Sequence, residues 1–360
     1  MAGHSPLPRT RHELILRHIE LRGSVNAAAV AEELNVSQVT IRRDIAELEA
    51  QGRLVRVHGG AIPPGAPAAP QAARLNIGVV VPSTVGHFPV IVRGMDAASH
   101  ARRARVVLAT SRYRAAIENQ QVERLLHAGV DGLIVAPTMR ERSEEDLAAW
   151  ATRLPVPVVF LERRLQSTSL AAFDSARSDH ARGAALAVEH FAGSGHRAVG
   201  LATFARTPTA PLVMEGYTRA VERLGLAPAP YRALPQAHED DDGRLDIELS
   251  GFLDDCLAAG VRAALVHSDV HAARMLEVAA DRGIRVPDDV AIIAYDDDIA
   301  SMAMVPMTAV TSPRRDLGYE VMRIVTERIS ERASQAARSA PRNVTMLPQL
   351  TIRRSCGAST

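Results

Sequence analysis

Residues 34–61 read LNVSQVTIRRDIAELEAQGRLVRVHGGA, and they carry the strongest structural signal in the N-terminal part of the chain. Ser37 is placed to begin a helix, because its hydroxyl can accept a hydrogen bond from a backbone N–H two or three residues ahead. Ile41, Ile45 and Leu48 then repeat at the spacing of one helical face. The stretch therefore predicts an amphipathic helix with a buried apolar stripe.

A short hairpin and two further helices are predicted around this segment. Residues 54–57 have strand composition, and Gly59-Gly60 makes a tip that can lie close to a sugar-phosphate backbone. Helices over 12–20 and 27–34 complete a three-helix module whose predicted core contains Leu14, Ile15, Ile19, Val30 and Leu34. A helix, a turn, a second helix and a wing in this order predict a winged helix-turn-helix, a mainly α fold.

The open side of the predicted recognition helix carries an amide, hydroxyls and guanidinium groups, which read base edges or hold phosphates. With the residues of the wing, the candidate DNA contacts are Ser37, Gln38, Thr40, Arg42, Arg43, Arg53, Arg56, His58, Gly59 and Gly60. The alternative is a small helical domain whose arginines only solvate its surface. The segment VSQVTIRRDIAELEAQG followed by VHGGA resembles the DeoR-type helix-turn-helix, and the resemblance, over residues 1–61, implies binding to duplex DNA.

Composition excludes several classes of function. The chain has 42 basic and 41 acidic residues, so any DNA affinity must come from a local arrangement of charge. All the basic residues are arginine, which excludes lysine Schiff bases and the P-loop lysine. Cys256 and Cys356 stand in no metal-ligand spacing, and the acidic run at 238–248 does not fit a calcium loop, so we predict no metal and no cofactor.

No apolar run is long enough to span a membrane, and the N-terminus has no apolar signal core. We therefore expect a cytoplasmic protein with no membrane partner. Residues 62–75, IPPGAPAAPQAARL, are rich in proline and alanine and predict a linker.

Beyond this linker, short β-branched runs alternate with helical stretches in two successive sets. Strands are predicted at 76–81, 105–109, 132–136, 156–161, 198–202, 231–234, 263–267 and 290–295. Helices are predicted near 89–103, 114–128, 144–153, 179–193, 213–224, 246–259, 270–282 and 314–333. The alternation predicts a two-lobed α/β domain over residues 76–357 with parallel sheets. We expect a first lobe of 76–174 plus 313–333 and a second lobe of 175–310 plus 343–355.

Polar residues follow several of these strands, at the edge of the sheet where open α/β domains bind ligands. The segments GVVVPS, GVDGLIVAP, LERR, FDS, GSGHRAVG and RGIRVPDDVAIIAYDD resemble the effector domain of LacI/GalR-type repressors, which is similar to a periplasmic sugar-binding protein. Position by position, the resemblance implies effector contacts at Ser83, Phe88, Glu162, Arg163, Ser268, Asp269 and Asp296.

The sequence departs from that family at three positions. Val213 stands where an arginine is common, Glu162 where aspartate is more frequent, and Ser268 where asparagine is frequent. The identity of the ligand therefore does not follow from the resemblance. A DeoR-type head on a LacI-type domain is itself an unusual combination, and the proline-containing linker does not fit a minor-groove hinge helix.

Together these features predict a sequence-specific transcription repressor, not an enzyme. We expect it to bind double-stranded operator DNA as a homodimer, under the control of a small sugar, polyol or nucleoside bound between the lobes. The alternative is a sugar-acting enzyme with an accessory DNA-binding head. No nucleophile or acid/base motif supports catalytic residues in this sequence.

Overall fold

The computed structural model describes residues 7–22, 25–57, 59–64, 74–204, 207–235, 243–335, 337 and 339–358. The chain divides into two compact units, Met1–Arg74 and Leu75–Thr360. The predicted linker, residues 62–75, is described only at its two ends. Ile62 ends a strand of the first unit, Leu75 begins a strand of the second, and residues 65–73 lie outside the described part.

The first unit is a small helical domain with a three-stranded antiparallel sheet. Its elements are α1 (Pro8–Arg22), β1 (Val25–Asn26), α2 (Ala27–Glu33), α3 (Gln38–Ala50), β2 (Val55–Val57) and β3 (Gly60–Ile62). Strand β3 lies between β1 and β2. The predicted core is buried at Ile15, Ile19, Val30, Ile41, Ile45 and Leu48, and Leu14 and Leu34 pack against it half-buried. The predicted winged helix-turn-helix is confirmed.

Local chemistry explains where these elements begin. The side chain of Asn26 accepts hydrogen bonds from the backbone N–H groups of residues 28 and 29 and starts α2. Asn35 adopts a positive φ of 50° at the turn before α3, a conformation that asparagine tolerates better than most residues. At the wing, a Cβ on Gly60 would lie 1.8 Å from the carbonyl oxygen of Val25. Only glycine therefore allows β3 to pair with β1 at this position.

The second unit alternates strands and helices, as the sequence predicts. In chain order its elements are β4 (Leu75–Val81), α4 (His87–Ala101), β5 (Ala104–Thr110), α5 (Ala115–His127), β6 (Gly132–Val135), α6 (Glu144–Thr152), β7 (Val158–Leu161), β8 (Asp174–Ser178), α7 (His180–Gly193), β9 (Gly200–Phe204), α8 (Ala210–Leu224), β10 (Tyr231–Leu234), α9 (Arg244–Ala258), β11 (Ala263–His267), α10 (Asp269–Asp281), β12 (Ala291–Tyr295), β13 (Thr308–Thr311), α11 (Arg314–Ala333), β14 (Asn343–Met346) and β15 (Gln349–Thr351).

These strands form two six-stranded sheets, one in each lobe. The first lobe has the order β14-β8-β7-β6-β4-β5, and the second has β10-β9-β11-β12-β13-β15. All neighbours pair in parallel except β13 and β15. The predicted fold class, α/β with parallel sheets, is confirmed, and buried side chains between each sheet and its helices form the cores.

The sheet pairing corrects the expected boundaries of the lobes. Strand β8 pairs with β7, and β14 pairs with β8, so both strands belong to the first lobe. The expectation that residues 175–178 and 343–346 belong to the second lobe is wrong. Both strands are short and carry polar residues, so hydrophobic pattern does not reveal them, and only their hydrogen-bond partners assign them to a sheet.

The chain passes from one lobe to the other after Ser178, after Thr311 and after Met346. Helix α7 therefore begins the second lobe directly beside the first. It packs closely on α8, because a Cβ on Gly216 would lie 1.9 Å from the backbone carbonyl oxygen of Ala181. These crossings bring residues of both lobes together at the carboxyl ends of the strands. Among the described helices, none is long and apolar enough to cross a membrane.

Candidate functional site

The N-terminal end of α3 presents polar side chains to solvent. The hydroxyl of Ser37 accepts from the backbone N–H of Thr40 at 3.1 Å, and the two hydroxyl oxygens lie 2.9 Å apart. Gln38 and Arg42 are exposed on the same part of the helix. Between them, Val39 is 74% exposed, and sequence reasoning missed it because an apolar residue in a helix usually marks the core. A methyl-rich side chain here can contact a thymine methyl group.

The recognition helix and the wing share one concave surface. A groove of about 530 Å³ is lined by Ala27, Arg42, Ile45, Arg56, Val57, Gly59 and Gly60. Glu49 accepts a hydrogen bond from the backbone N–H of Arg56 at 2.9 Å and so ties the wing to α3. The structure thus brings together four of the predicted DNA contacts. They are the guanidinium groups of Arg42 on α3 and Arg56 on the wing, and the two glycines Gly59 and Gly60.

The remaining predicted DNA contacts lie at the borders of this groove or outside it. Arg43 is exposed on α3, where its Nε lies 3.3 Å from Glu47. Arg53 is exposed after the end of α3 and does not line the groove. His58, which follows β2 in the sequence, lies outside the described residues.

A cavity of about 910 Å³ opens between the two lobes of the second unit. The first lobe supplies Tyr113, Thr138, Met139, Arg140, Glu144, Glu162, Arg163, Arg164 and Gln166, and the second supplies His180, Thr207, Pro208, Thr209, Pro211, Leu212 and Glu215. Arg164 and Glu215 form an ion pair at 2.5 Å that joins the lobes at this cavity. The mixture of polar and apolar side chains suits a small hydroxylated ligand.

Glu162 forms the floor of the cleft, where it meets residues of both lobes. It follows β7 with a positive φ of 52° and accepts hydrogen bonds from the backbone N–H (3.0 Å) and hydroxyl (2.8 Å) of Ser178. Its carboxylate also lies 2.8 Å from His87 Nε2 and 3.6 Å from His180 Nε2. Burial on its own raises the pKa of Glu162, yet the adjacent imidazoles of His87 and His180 outweigh burial and hold that pKa well below its usual value.

Tyr295 sets the orientation of His180. Its hydroxyl donates to the backbone carbonyl of His180 at 3.1 Å, because a carbonyl oxygen can only accept. The same hydroxyl oxygen lies 3.0 Å from His180 Nδ1 and therefore accepts the Nδ1 proton. The ring of Tyr295 is fully buried, so it presents its hydroxyl to the site and no aromatic face to a ligand.

Asp296 and His267 complete this polar centre from the second lobe. Asp296 has a positive φ of 76°, and its Oδ1 lies 4.0 Å from His87 Nδ1. That oxygen is buried without a hydrogen-bond partner among the described residues, as is Nδ1 of His267. Burial lowers the pKa of His267 to about 4, while the charge of Asp296 acts in the opposite direction.

The structure separates the predicted effector contacts into two groups. Glu162 and Arg163 line the cavity, and Asp296 reaches the same centre through His87. Arg163 is held by the backbone carbonyls of Pro137 (2.8 Å) and Glu162 (2.7 Å).

The other predicted effector contacts serve local structure. Phe88 is buried in the core of the first lobe, where its ring meets the ring of His87 edge-on at 5.4 Å. Ser83 shapes a turn through the backbone of Val85, and Ser268 bonds with His271 at the start of α10. Asp269 anchors the loop after β12.

Asp269 accepts two backbone hydrogen bonds in the loop after β12, from the N–H groups of Asp298 and Ile299, each at 2.7 Å. None of Ser83, Phe88, Ser268 and Asp269 lines the described cavity. Sequence reasoning instead missed His87 and His180. The signal for His180 was its position two residues after Ser178, where the chain leaves the first lobe, but that crossing depends on the polar strand β8, which the sequence pattern does not reveal.

Comparisons with known proteins match both parts of the chain. Residues 11–64 match the DeoR-like helix-turn-helix domain, and residues 188–356 match the periplasmic binding protein-like domain. The arabinose metabolism transcriptional repressor of Geobacillus stearothermophilus is 25% identical over 311 residues, which cover 84% of each chain. The ribose operon repressor of Escherichia coli K12 is 27% identical over 273 residues, covering 72% of this chain and 77% of that protein.

Solved structures show the same fold. The transcriptional regulator CelR in complex with cellobiose has a TM-score of 0.64 at 22% identity, covering 97% of this chain and 99% of that one. The lac repressor dimer bound to operator and the anti-inducer ONPF has a TM-score of 0.64 at 24% identity, covering 80% and 96%. The relatives named here are transcriptional repressors and not enzymes. The chain is therefore a DNA-binding transcriptional regulator that carries a DeoR-like helix-turn-helix domain and a periplasmic binding protein-like domain.

Proposed function

We propose that this regulator is a sequence-specific repressor, controlled by a small sugar, polyol or nucleoside that binds in the cleft between the lobes of its second unit. The observation that carries the proposal is the polar cavity between the lobes, present in a chain whose separate head has a recognition helix and wing lining one groove. A transcription regulator acts where the DNA is, so we place it in the cytoplasm.

Each group of the DNA-reading surface has a proposed role. Gln38 and Arg42 reach base edges in the major groove, since both are exposed near the N-terminal end of α3. Contacts to the phosphate backbone are assigned to Ser37, Thr40, Arg43, Arg53, Arg56, His58, Gly59 and Gly60. Phosphate contacts position the protein, and base contacts determine the sequence that it reads.

The ligand is held by groups of both lobes. Arg163 donates from the first lobe, and Glu162 and Asp296 accept from hydroxyl groups, as carboxylates do well. Ser83, Phe88, Ser268 and Asp269 support the same site at one remove, through the turns and core contacts described above. The names of similar proteins, which concern arabinose, ribose and cellobiose, agree with a sugar ligand.

Control of DNA binding requires that the ligand bind one arrangement of the lobes better than another. The three chain crossings between the lobes allow such a movement while each sheet stays intact. Two copies of the head then read the two halves of a pseudo-palindromic operator, which requires a homodimer. The lac repressor structure to which this chain is similar is described as a dimer bound to operator.

The proposal is tested by selecting genomic DNA fragments with the purified full chain, with and without a panel containing arabinose, ribose and cellobiose. We expect the parent protein to enrich an inverted repeat that the Arg42→Ala variant does not enrich. One member of the ligand panel should release the parent protein from this repeat. Absence of any enriched sequence, in a sample shown to be folded, would contradict the assignment. Turnover of a bound sugar would instead revive the alternative of a sugar-acting enzyme with an accessory head, which no comparison supports.

A further inference from the structure

We propose that the floor of the cleft is a binding site for a divalent transition metal of the zinc class, with His87, Glu162 and His180 as ligands. The metal site goes beyond sugar-dependent repression and does not depend on it, whereas the coupling of the ion to an effector rests on the proposed function. The ligand atoms of the three side chains all lie within 4.8 Å of one another. Imidazole nitrogens with one carboxylate oxygen are a donor set typical of zinc, whereas calcium and magnesium prefer oxygen alone.

The spacing of these atoms fits a tetrahedral ion with little movement. Two ligands on a tetrahedral zinc ion lie about 3.3 Å apart, because each ligand is about 2.0–2.1 Å from the metal. The separations from the Glu162 carboxylate bracket that value, at 2.8 Å from Oε1 to His87 Nε2 and 3.6 Å from Oε2 to His180 Nε2, so the carboxylate would bind the ion through both oxygens or turn to offer one of them. A rotation of the His87 ring, the most exposed of the three side chains at 22%, would open the shorter separation.

The hydrogen bonds around His180 place a lone pair on the nitrogen that faces Glu162. Tyr295 uses its own proton on the carbonyl of His180, so it accepts the proton of His180 Nδ1. In the neutral imidazole, Nε2 then carries a lone pair directed at Glu162 Oε2. A metal ion would replace the proton that this nitrogen otherwise binds, between Nε2 and Glu162 Oε2, which lie 3.6 Å apart.

The outer contacts also match those of a metal site. Ligating histidines usually donate their second ring N–H to a carboxylate, a carbonyl or another acceptor, and ligating carboxylates are themselves hydrogen-bonded. His180 donates to Tyr295, and His87 Nδ1 faces the partnerless Oδ1 of Asp296 at 4.0 Å. Glu162 is fixed by both the backbone N–H and the hydroxyl of Ser178. Glu162 and His180 are thus oriented before any ion binds, whereas His87 Nδ1 lies beyond hydrogen-bond distance of Asp296.

A metal ion at this position would connect the two lobes. His87 and Glu162 belong to the first lobe, whereas His180 begins the second. Three protein ligands leave a fourth position open, as in zinc sites that also hold water or a small ligand. Because Glu162 and His180 line the cavity, that fourth position is available to a hydroxyl or carboxylate group of the effector. The ion would therefore favour the arrangement of the lobes in which His180 lies beside Glu162.

A second group of possible ligands, in the head, does not form a comparable site. His12, Asp44 and Glu47 lie within ligand distance of one another. However, Arg11 already holds the Asp44 carboxylate with two hydrogen bonds, at 2.6 and 2.9 Å. A guanidinium group that neutralises the only buried carboxylate of this cluster competes directly with a cation.

The test is zinc binding by the full-length, chelator-treated protein, measured by isothermal titration calorimetry and by the visible absorption of bound Co²⁺. We expect one site per chain in the second unit, weakened at least about 100-fold in His87→Gln and in Glu162→Gln. Tyr295→Phe, which removes only the outer contact, should weaken binding by roughly 10–100-fold. The intensity of the cobalt absorption separates a tetrahedral site from surface binding.

Two matched variants complete the design. His100→Gln lies on the same helix as His87, is exposed, and should bind zinc like the parent protein. His12→Gln, in the head, should also leave the site intact. Circular dichroism confirms that each variant is folded. Zinc affinity that is unchanged in both His87→Gln and Glu162→Gln, or lost in His12→Gln alone, or absent from the parent protein, overturns the proposal.

Discussion

Arg328 on α11 forms a bidentate ion pair with Asp174, the first residue of β8, and both side chains are buried. Both hydrogen bonds measure 2.7 Å, and Asp174 also accepts from the backbone N–H of Arg342 at 2.9 Å, just before β14. One carboxylate therefore joins a helix and the two polar strands at the edge of the first lobe. These partners give Asp174 a structural role.

We predict that Asp174→Ala destabilises the protein by about 3 kcal/mol, because it leaves the buried guanidinium of Arg328 without its main partner. Denaturant unfolding of the second unit measures this change. Asp288→Ala is the matched control, since Asp288 and Arg285 form an exposed pair at 3.5 Å and its loss should cost less than about 1 kcal/mol. Equal effects of the two substitutions would contradict the structural role of Asp174.

Arg42→Ala and Arg43→Ala should affect DNA binding differently. Arg42 lines the groove between α3 and the wing, so its loss should cost about 1–3 kcal/mol and relax sequence discrimination. Arg43 lies outside that groove beside Glu47, so its loss should weaken binding to all sequences and lower the salt slope by about one. Fluorescence anisotropy on operator and scrambled DNA distinguishes these results. Arg105→Ala, on the surface of the first lobe, controls for net charge.

The two glycines of the wing tip should respond differently to substitution by alanine. A Cβ on Gly60 meets the backbone of Val25 at 1.8 Å, so Gly60→Ala must displace β1 or β3, at a cost of about 1–3 kcal/mol. Gly59 has free space around its Cα but a φ of +85°, so its substitution costs roughly 1–2 kcal/mol through backbone strain alone.

Gly193→Ala is the control for these two substitutions. A Cβ there would have no atom within 4 Å, and the φ of Gly193 is not in the positive range. We expect Gly60→Ala to abolish operator binding and to broaden the amide resonances of β1, while Gly59→Ala only weakens binding. Retention of the parent's operator affinity by Gly60→Ala would show that the β1–β3 contact is not needed for DNA recognition.

Asp296→Ala should remove the response to effector while leaving operator binding intact. Its Oδ1 has no hydrogen-bond partner among the described residues, so its removal leaves no protein donor there unpaired. Once the effector is known, titration calorimetry measures the loss, and the thermal midpoint reports on folding. A large decrease of that midpoint would mean instead that Asp296 stabilises the loop after β12.

The buried histidine His267 should make stability depend on pH. Burial lowers its pKa from 6.5 to about 4, against the charge of Asp296 and with the help of His180, His271 and His87. The unfolded chain therefore binds more protons between these two values. The stabilising effect is complete above pH 6.5 and is lost as the pH falls toward 4, with a slope of up to about 1.4 kcal/mol per pH unit.

Denaturant unfolding between about pH 7 and about pH 4.5 measures this slope, which should be smaller in His267→Gln. His100→Gln, which changes an exposed histidine, should keep the parent's slope. A slope that is identical in all three proteins would show that other groups cause the acid sensitivity of the domain.

Much of the fold follows from local pattern. The stripe of Ile41, Ile45 and Leu48 predicts α3, and all three side chains are buried in the structure. The apolar strand at 263–267 is predicted to the residue, because buried parallel strands are continuous apolar runs. Strand β8, with the sequence DSARS, has no such run and was not predicted.

The candidate site is less visible in the sequence than the fold. Glu162 and Arg163 could be found, because they follow an apolar strand and match a family motif. Phe88 could not be assigned correctly by position alone, since a helix start can direct a side chain into the core or into a cleft. His180 enters the site only because the chain changes lobes between β8 and α7.

Local sequence specifies the helices, most strands, the two-part organisation and the polarity of each strand end, because these depend on neighbours within a few residues. Tertiary structure alone decided which distant groups meet. Asp174 finds Arg328 at a separation of 154 residues, and His180 finds Tyr295 at a separation of 115. Such pairs depend on the order of strands in a sheet and on where the chain crosses between lobes, which hydrophobic periodicity does not specify.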